Sequence, residues 1–471
     1  MSHRSAWLIC LVPLMACADS LTAPVVDTSA EGDVDAAVAP RVAPIITALS
    51  VASITPTQAI VAWATDHPAL GLVEYGTTAA LGDSFAAATP ADTAYEVMIE
   101  GLAPATTYHL RVTAQDSAST AKTSSTRTFT TREVEYPTQD HSSVLGIWIG
   151  MSDLAQLPTS GSAWTNILTV ADGSCGTVDL ADQTQNTNTC IMAKALVFAR
   201  TGESSYRTDV VSAIDEIVNA GTYTGRALAL GRELGAYVIA ADMIDLKNHD
   251  SDLDARFRGT LRELRTTYTS GAASSLIDCH ENRPNNWGAH CGATRAAIAV
   301  YLEDTDDLAR TAQVFKGYLG DRSSYAGFTY GGPAGEEDLT WQCDPARPVG
   351  INPAGCSRDG LSLDGVLPDD QRRGGSFTTS PPKENYVWEA LQGLIAQAVI
   401  LNRAGYPVWE WEDRAILRAV TWLHEVADFP AEGDDTWQPH VINLHYGASF
   451  PAEVPSRAGK NVGWTDWSHR N

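Results

Sequence analysis

The feature that most constrains this 471-residue chain is a helical spacing of apolar residues that recurs in paired segments from about residue 133 onward. The segments lie at residues 189–202, 206–220, 225–244, 252–268, 286–301, 306–319, 386–404 and 413–426. Repeated helical hairpins with few strands between them predict an all-α (α/α) toroid. The expected helical domain spans residues 133–471.

A different pattern precedes the helices, because residues 43–132 alternate apolar and polar side chains in short runs. Turn residues separate runs such as AIVAWAT, AYEVMIEGL and TYHLRVTAQD, so antiparallel strands are predicted. Trp63 is placed to fill a sandwich core, and Tyr108 is placed as the tyrosine of a tyrosine corner. On these residues the segment resembles a fibronectin type III domain, which implies an all-β sandwich and a spacer role more readily than sugar binding.

The N-terminus carries export signals. His3 and Arg4 precede an apolar run that is too short to span a membrane. The tetrad LMAC resembles the lipobox of bacterial lipoproteins, which implies a signal peptide at residues 1–17 and a lipid on Cys17. An ordinary secretory signal cut nearby is the alternative, and both predict export. The lipobox adds a membrane anchor, periplasmic or at the cell surface, and residues 18–42 are expected to form a flexible linker.

Six further cysteines fall as sequence neighbours. They are Cys175 with Cys190, Cys279 with Cys291, and Cys343 with Cys356. Export permits disulfides, and local pairing is the simplest expectation, although the sequence does not fix the connectivity. A zinc site is the alternative, but no CxxC or paired Cys/His spacing favours it, so no metal site is predicted.

The formal net charge of −25 limits the partners of the chain. Such a charge disfavours non-specific binding to nucleic acid, so no nucleic-acid partner is expected. An anionic substrate requires a local basic patch that overcomes the overall field.

Residues 279–300, CHENRPNNWGAHCGATRAAIAV, place polar groups at the start of an apolar helix. Asn286 and His290 are four residues apart and therefore share one helix face. An amide beside an imidazole can hold a carboxylate and move a proton near neutral pH. The simpler interpretation is that Asn285 or Asn286 caps the helix and that His290 is an interior histidine.

A second polar stretch, SLDGVLPDDQRRGGSFTTSPPKENYVWEALQGLIAQAVIL, spans residues 362–401. Its order of Asp364-Gly365, Leu367-Pro368, Arg372-Arg373 and a helix-opening Tyr386, taken with the asparagine pair, resembles the alginate lyase family of polysaccharide lyases. ARTGESSYR and LGAYVIAADMIDL resemble helices of that family, and the likeness covers residues 140–470. The resemblance implies an α/α toroid whose cleft holds an asparagine, a histidine, an arginine and a tyrosine.

Two departures from the family pattern concern the choice of sugar. Trp287 stands where the family commonly has a histidine, so His290 or a tail histidine, His440 or His445, is expected to supply the imidazole. The spacing between Arg373 and Tyr386 is also wider than is typical of the family.

The resemblance implies β-elimination, in which a uronic acid loses its C5 proton and the oxygen leaves C4. Negative charge that develops beside the carboxylate must be stabilised. Asn286, together with Asn285, is expected to donate hydrogen bonds to it, and Arg372 or Arg373 to add a positive charge. Tyr386 is expected to protonate the leaving oxygen, and Tyr386 or His290 to take the C5 proton. This chemistry needs no cofactor.

Aromatic residues and the remaining histidines complete the predicted site. Trp287 and Trp341 lie nearest the candidate chemistry and are expected to contact substrate, because flat rings stack on sugar faces. His445 is added as a substrate-binding candidate. Most of the other tryptophans are expected in the core.

Three functions compete on this basis. The first is an exported lyase that cleaves a uronic-acid polysaccharide such as alginate or a glucuronan-like polymer. The second is a glycoside hydrolase on a similar toroid, which needs two carboxylates astride the scissile bond. Its candidates are Glu336, Glu337, Asp338, Asp369 and Asp370. The third is a non-catalytic polysaccharide-binding surface protein. The sequence does not predict the oligomeric state.

Overall fold

The computed structural model describes residues 43–54, 58–86, 92–103, 105–117, 120–132, 144–331 and 338–470. The expected signal peptide, Cys17 and the linker at residues 18–42 lie outside the described residues. The strands are β1 Ile46–Ala52, β2 Ala59–Gly76, β3 Asp83–Ala86, β4 Asp92–Ile99, β5 Thr107–Gln115, β6 Ala121–Thr123, β7 Arg127–Thr130, β8 Ser357–Arg358 and β9 Leu361–Ser362.

Helices account for most of the chain after the strands. They are α1 Met151–Gln156, α2 Gly161–Asp172, α3 Thr187–Thr201, α4 Ser204–Asn219, α5 Ala227–Met243, α6 Leu246–His249, α7 Ser251–Leu264, α8 Leu276–Asn282, α9 Asn286–Tyr301, α10 Thr305–Leu319, α11 Pro368–Gln371, α12 Asn385–Arg403, α13 Trp411–Glu425, α14 Gln438–Tyr446 and α15 Thr465–Ser468.

The strands form a β-sandwich that is organised around the long strand β2. Its first half pairs with β1 and β4, and its second half pairs with β3 and β5; β6 and β7 pair with β5. Trp63 stacks on Tyr95 in the core at a centroid distance of 4.6 Å. The Tyr108 hydroxyl accepts a hydrogen bond from the Ala103 N–H at 2.8 Å, which is the contact of a tyrosine corner. The predicted sandwich is confirmed.

The helices form an α/α toroid. Its inner helices are α3, α5, α9 and α12, and each packs against the next. The ring closes through α14 and α15, because α12 packs on α14, α14 on α15, α15 on α2, and α2 on α3. All 17 residues of α5 are buried, which identifies it as an inner helix with neighbours on every side. The predicted fold class is therefore correct.

Outer helices return the chain between inner ones and bury a single face. In α7 the buried apolar residues are Leu253, Phe257, Leu261 and Leu264, which follow the helical repeat. The Asp250 side chain caps this helix by accepting the Leu253 N–H at 2.9 Å. The helices α4, α10 and α13 carry similar stripes.

Glycines allow the inner helices to approach closely and to run parallel. A Cβ atom on Gly231 of α5 would lie 2.8 Å from the backbone nitrogen of Cys291 in α9. A Cβ atom on Gly393 of α12 would lie 2.4 Å from the carbonyl carbon of Ala289. One turn further along, Gly235 of α5 contacts Thr294 of α9, and Gly292 of α9 contacts Gln397 of α12. Residue numbers rise together in each pair of contacting helices, so the helices run parallel. The N-terminal ends of α5, α9 and α12 therefore open on one face of the toroid.

Three disulfides brace the helical part, and their connectivity is the predicted local one. The pairs are Cys175–Cys190, Cys279–Cys291 and Cys343–Cys356. Each closes a short loop, and such a loop contributes about 3 kcal/mol in the chain-entropy model. Disulfides persist in oxidising compartments, which fits an exported protein. No helix in the described ranges combines the length and the apolar character that crossing a bilayer requires.

The packing of α9 on α12 yields a stability prediction. Gly393→Ala is expected to lower the free energy of unfolding by about 3 kcal/mol, because the new methyl group overlaps the α9 backbone. Gly259→Ala is the matched control, since Gly259 lies in α7 with no atom within 4 Å of the added Cβ. It is expected to raise stability by about 0.5–1 kcal/mol. Urea unfolding measures both changes, and a Gly393→Ala variant as stable as wild type contradicts the close-approach argument.

Candidate functional site

The first side chain of the site, Asn285, is a helix cap. Its Oδ1 accepts the Trp287 N–H at 3.1 Å, and its Nδ2 donates to Asp369 Oδ2 at 2.7 Å. Both ends of the amide are thus used inside the protein. The prediction that Asn285 binds substrate is corrected, and the capping interpretation holds for this residue.

Asn286 presents an unpaired amide at the adjacent position. Its backbone N–H donates to Asp370 Oδ1 at 3.1 Å, which ties the start of α9 to α11. Its side chain is buried, and within the described residues Nδ2 has no hydrogen-bond partner. A buried donor without a partner costs about 1–3 kcal/mol, so such groups in native proteins have a reason to be retained. The Asn286 amide is thus an unpaired donor inside the protein, at the start of α9.

His290 lies one turn beyond Asn286 and has no exposed surface. Burial, reinforced by the positive charge of Arg232, holds its pKa well below the ordinary value of 6.5. Neither ring nitrogen makes a hydrogen bond of good geometry within the described residues, and the Glu389 backbone is the polar group that faces the ring. The predicted role as a base in contact with substrate is corrected, because the middle of α12, at Gly393, packs directly over this turn of α9. His290 is a neutral core histidine.

The two arginines have different environments. Arg372 Nε donates to Asp369 Oδ1 at 2.9 Å, and both side chains are buried. Arg373 is exposed, and its guanidinium carbon lies 4.5 Å from the centroid of the Tyr386 ring. Tyr386 is 38% exposed at the first turn of α12. The structure therefore brings Arg373 and Tyr386 together at the surface, while Arg372 holds the segment in place.

Tyr386 and Asn286 lie at different levels along the axes of the inner helices. The register that sets Gly393 against Ala289 places Asn286 about one helical turn, ~6 Å, further along the parallel helices than Tyr386. Tyr386 and Arg373 thus lie at the rim of this face, and Asn286 lies at a deeper level along the helix axis. Because the N-terminal ends of α5, α9 and α12 face the same side, their dipoles add positive potential there.

Sequence reasoning missed an ion pair between two inner helices. Arg232 of α5 pairs with Glu389 of α12, which lies one turn after Tyr386. The Arg232 side chain is 6% exposed and that of Glu389 is 18% exposed. Arg232 is also the charge that acts on His290. The signal was present in LALGRELGAYVIAADM, where Arg232 and Glu233 interrupt an apolar helix. Burial raises the pKa of Glu233 to about 9, with Asp182 adding to the effect.

Among the hydrolase candidates that the structure describes, Asp369 and Asp370 do not face an open cleft. Asp369 and Asp370 are both buried and bonded to the asparagine pair. Burial, with the adjacent charge of Asp369, raises the pKa of Asp370 well above its ordinary value. Asp338 bonds to Thr340 and Ser376, and Glu336 and Glu337 lie outside the described residues.

The remaining predicted residues divide between the site and the core. Trp287 is half-buried near the candidate site, with its ring edge against Gly271. Trp341 is fully buried, donates to the Gly375 carbonyl at 2.7 Å and packs on Trp422, so it cannot stack on a sugar. This prediction is corrected.

His445 is also corrected, because it lies away from the site. It stacks on Trp409 at 4.2 Å, and Trp409 follows the C-terminal end of α12, opposite Tyr386. Burial lowers the pKa of His445 to about 4. His440 Nε2 donates to the Glu453 carbonyl at 2.8 Å, and this side chain is buried as well. Among the described residues, no group of three or more His, Cys, Asp or Glu side chains is arranged to hold a metal ion.

Comparison with known proteins identifies a relative for the first domain alone. A family model described as the N-terminal domain of purple acid phosphatase matches residues 44–131, the β-sandwich. It does not extend into the toroid and so does not place the whole chain in that family. No curated protein matches the chain.

Solved structures resemble the chain only distantly. A family 76 glycoside hydrolase from a bovine Bacteroides thetaiotaomicron strain is 12% identical, with 85% of each chain covered and a TM-score of 0.34. The sensor domain of the anti-sigma factor RsgI4 from Pseudobacteroides cellulosolvens is 19% identical, covers 19% of this chain and 95% of its own, and has a TM-score of 0.17.

A fibronectin type III domain from the human KIAA0970 protein is 19% identical, covers 20% of this chain and 78% of its own, and also has a TM-score of 0.17. Similarity at this level does not establish a shared fold. The toroid and the sandwich are identified from the packing described above. These comparisons do not show the alginate lyase family, and that resemblance stays a prediction.

The two arginines provide a test of the site's construction. Arg372→Ala is expected to lower the free energy of unfolding by about 3 kcal/mol, because it leaves the buried Asp369 without its cation. Arg373→Ala is expected to cost less than about 1 kcal/mol, because its contact with Tyr386 is exposed. Urea unfolding distinguishes them, and equal losses contradict the assignment of one structural and one surface arginine.

His290 gives a prediction for the pH dependence of stability. Its folded pKa is depressed, so it contributes stability above pH 6.5 that is lost as the pH falls, because the unfolded state then binds the proton. Below pH 6.5 the free energy of unfolding of wild type is expected to fall more steeply than that of His290→Gln, by up to about 1.4 kcal/mol per pH unit. The measurement that decides is the slope of the free energy of unfolding against pH, and a constant difference in stability between the two proteins does not affect it. Identical slopes contradict the neutral buried state.

Proposed function

We propose that this chain is a glycan-processing enzyme, and specifically a lyase that cleaves a uronic-acid-containing polysaccharide by β-elimination. The observation that carries the proposal is the exposed Tyr386 phenol beneath the Arg373 guanidinium, at the face where the inner helices begin. A proton donor beside a fixed cation is the pair that expulsion of a sugar oxygen next to a carboxylate requires.

The chemistry assigns a role to each group by its depth. Arg373 attracts and partly neutralises the uronate carboxylate at the rim, where its planar fork matches the two oxygens. The free Asn286 amide donates to the same carboxylate from below as charge builds on it. Tyr386 acts first as a phenolate base that takes the C5 proton, and the phenol so formed gives that proton to the leaving oxygen as the C4–O bond breaks and the C4=C5 bond forms. No metal or cofactor enters these steps.

Local positive charge at the rim offsets the repulsion between this acidic chain and a polyanionic substrate. The chain has a formal net charge of −25, which repels a polyanion at long range. Arg373 and the helix N-terminal ends supply local positive potential at the site. Within a Debye length of about 8 Å at physiological ionic strength, such local charges outweigh distant ones. Binding is therefore feasible in an acidic protein.

A hydrolase on the same scaffold has less support. It requires two carboxyl groups with access to one glycosidic bond. Asp369 and Asp370 are buried and committed to the asparagine pair. We add to the proposal that the enzyme is exported, that Cys17 carries a lipid anchor, and that the sandwich spaces the toroid from the membrane, as the lipobox resemblance implies.

Product spectroscopy tests the proposed reaction. Incubation with polymannuronate, polyguluronate and polyglucuronate is expected to generate ultraviolet absorbance from a new C=C bond on at least one polymer. Tyr386→Phe is expected to lower kcat at least about 10²-fold, because it removes the proton donor. Tyr406→Phe is the control, since Tyr406 lies past the other end of α12 and is expected to leave kcat unchanged.

Two results contradict the proposal. Reducing ends that rise without absorbance indicate hydrolysis rather than elimination. A Tyr386→Phe variant with the kcat of Tyr406→Phe shows that another residue donates the proton.

A further inference from the structure

A cleft lies at the start of α3, between that helix and the C-terminal tail. It has a volume of about 720 Å³, a size that takes an extended ligand. Asn186 and the Cys175–Cys190 disulfide form one wall, and Asn166 and Ser174 contribute further polar groups. The opposite wall is a segment of the C-terminal tail, residues 456–461, which we call the strap.

The strap brings two cations to this cleft in a protein that is otherwise acidic. Lys460 pairs with Asp434 at 2.8 Å, and both line the cleft. Arg457 is exposed and forms no ion pair with any described residue. A guanidinium without an internal partner, facing a polar cleft, is suited to a carboxylate.

Buried side chains hold the strap rigidly although it has no regular secondary structure. The Arg457 N–H donates to Thr436 Oγ1 at 2.9 Å, and the Lys460 N–H donates to Gln392 Oε1 at 2.7 Å. Asn188 Nδ2 donates to the Lys460 carbonyl at 2.8 Å. Thr436, Gln392 and Asn188 are all buried. Three buried polar residues thus fix the backbone that carries the two cations, which reduces the entropy lost when they bind a ligand.

Lys460 also connects the cleft to the candidate site. Its charge reaches His290, and Gln392, which holds its backbone, lies on α12 one turn after Glu389 and two turns after Tyr386. Tyr386, Glu389 and Gln392 follow one another at three-residue spacing along α12, from the exposed Tyr386 to the buried Gln392. The strap is thus anchored to the helix that carries Tyr386, six residues further along it.

We propose that this cleft is a binding subsite for sugars that flank the cleaved bond, and that Arg457 and Lys460 bind the carboxylate of a uronate there. The inference rests on the proposed function for its substrate class. It makes the enzyme's preferred ligand an acidic oligosaccharide of several units rather than a disaccharide. It also makes the tail segment, which contains none of the proposed catalytic residues, a determinant of substrate length.

The test is calorimetric binding of uronate oligosaccharides to the full chain carrying Tyr386→Phe, which removes turnover. The probes are the di- and hexasaccharides of mannuronate and of glucuronate, with cellohexaose as the neutral reference. One of the two hexauronates is expected to bind at least about tenfold more tightly than its disaccharide and than cellohexaose. Arg457→Glu and Lys460→Met are each expected to remove most of that gain and to leave disaccharide binding within twofold.

Arg262→Glu is the matched control, because Arg262 is exposed on the outer helix α7 and carries the same change in charge. A loss of hexasaccharide affinity that Arg262→Glu reproduces, or hexauronates that bind no better than disaccharides or than cellohexaose, overturns the subsite. Length-dependent uronate binding in a wild-type protein that forms no unsaturated product supports the subsite and overturns the lyase. Formation of unsaturated product, with uronate binding that does not depend on oligosaccharide length, supports the lyase and overturns the subsite.

Discussion

The close parallel packing of α5, α9 and α12 determines where every polar group of the site lies. Gly231 and Gly393 remove the side chains that would separate these helices, so backbone meets backbone at their contact points. Parallel inner helices bring their N-terminal ends to one face, and that face then carries Asn286, Arg232, Glu389 and Tyr386. The polar site is a consequence of apolar packing, since no polar contact alone would set the register.

A second layer of constraint comes from the buried link between α9 and α11. Asn285 and Asp369 join residues that are 84 apart in sequence, and Asp370 receives the next backbone N–H. Arg372 completes this network, which leaves Arg373 free to face solvent beside Tyr386. Two adjacent arginines therefore have unlike tasks, one neutralising a buried carboxylate and the other available to a ligand.

Much of this architecture could be predicted from the sequence because it is periodic. The alternation in β2 and the apolar repeat in α7 and α9 gave the correct classes, and adjacent cysteines gave the correct pairs. The burial of individual side chains in the toroid could not be predicted. An i, i+4 pattern shows which residues share a helix face, but it does not show which other elements pack over that face. His290 and Trp341 are on the expected elements and yet buried, and His445 lies at the wrong end of α12. The Arg232–Glu389 pair was missed because its partners are 157 residues apart in sequence.

Closure of the ring has a further consequence for how the chain reaches its folded state. Trp467 of α15 donates to the Pro158 carbonyl, a contact between residues 309 apart, and its ring packs on Trp164 of α2 at 5.3 Å. A contact of such long range forms late, after the entropy of a very large loop has been lost. Until then the apolar inner helices lack part of their cover and are prone to self-association. The three disulfides join residues only 12 to 15 positions apart and do not depend on closure, so oxidation can secure these local segments while the two ends of the array are still apart.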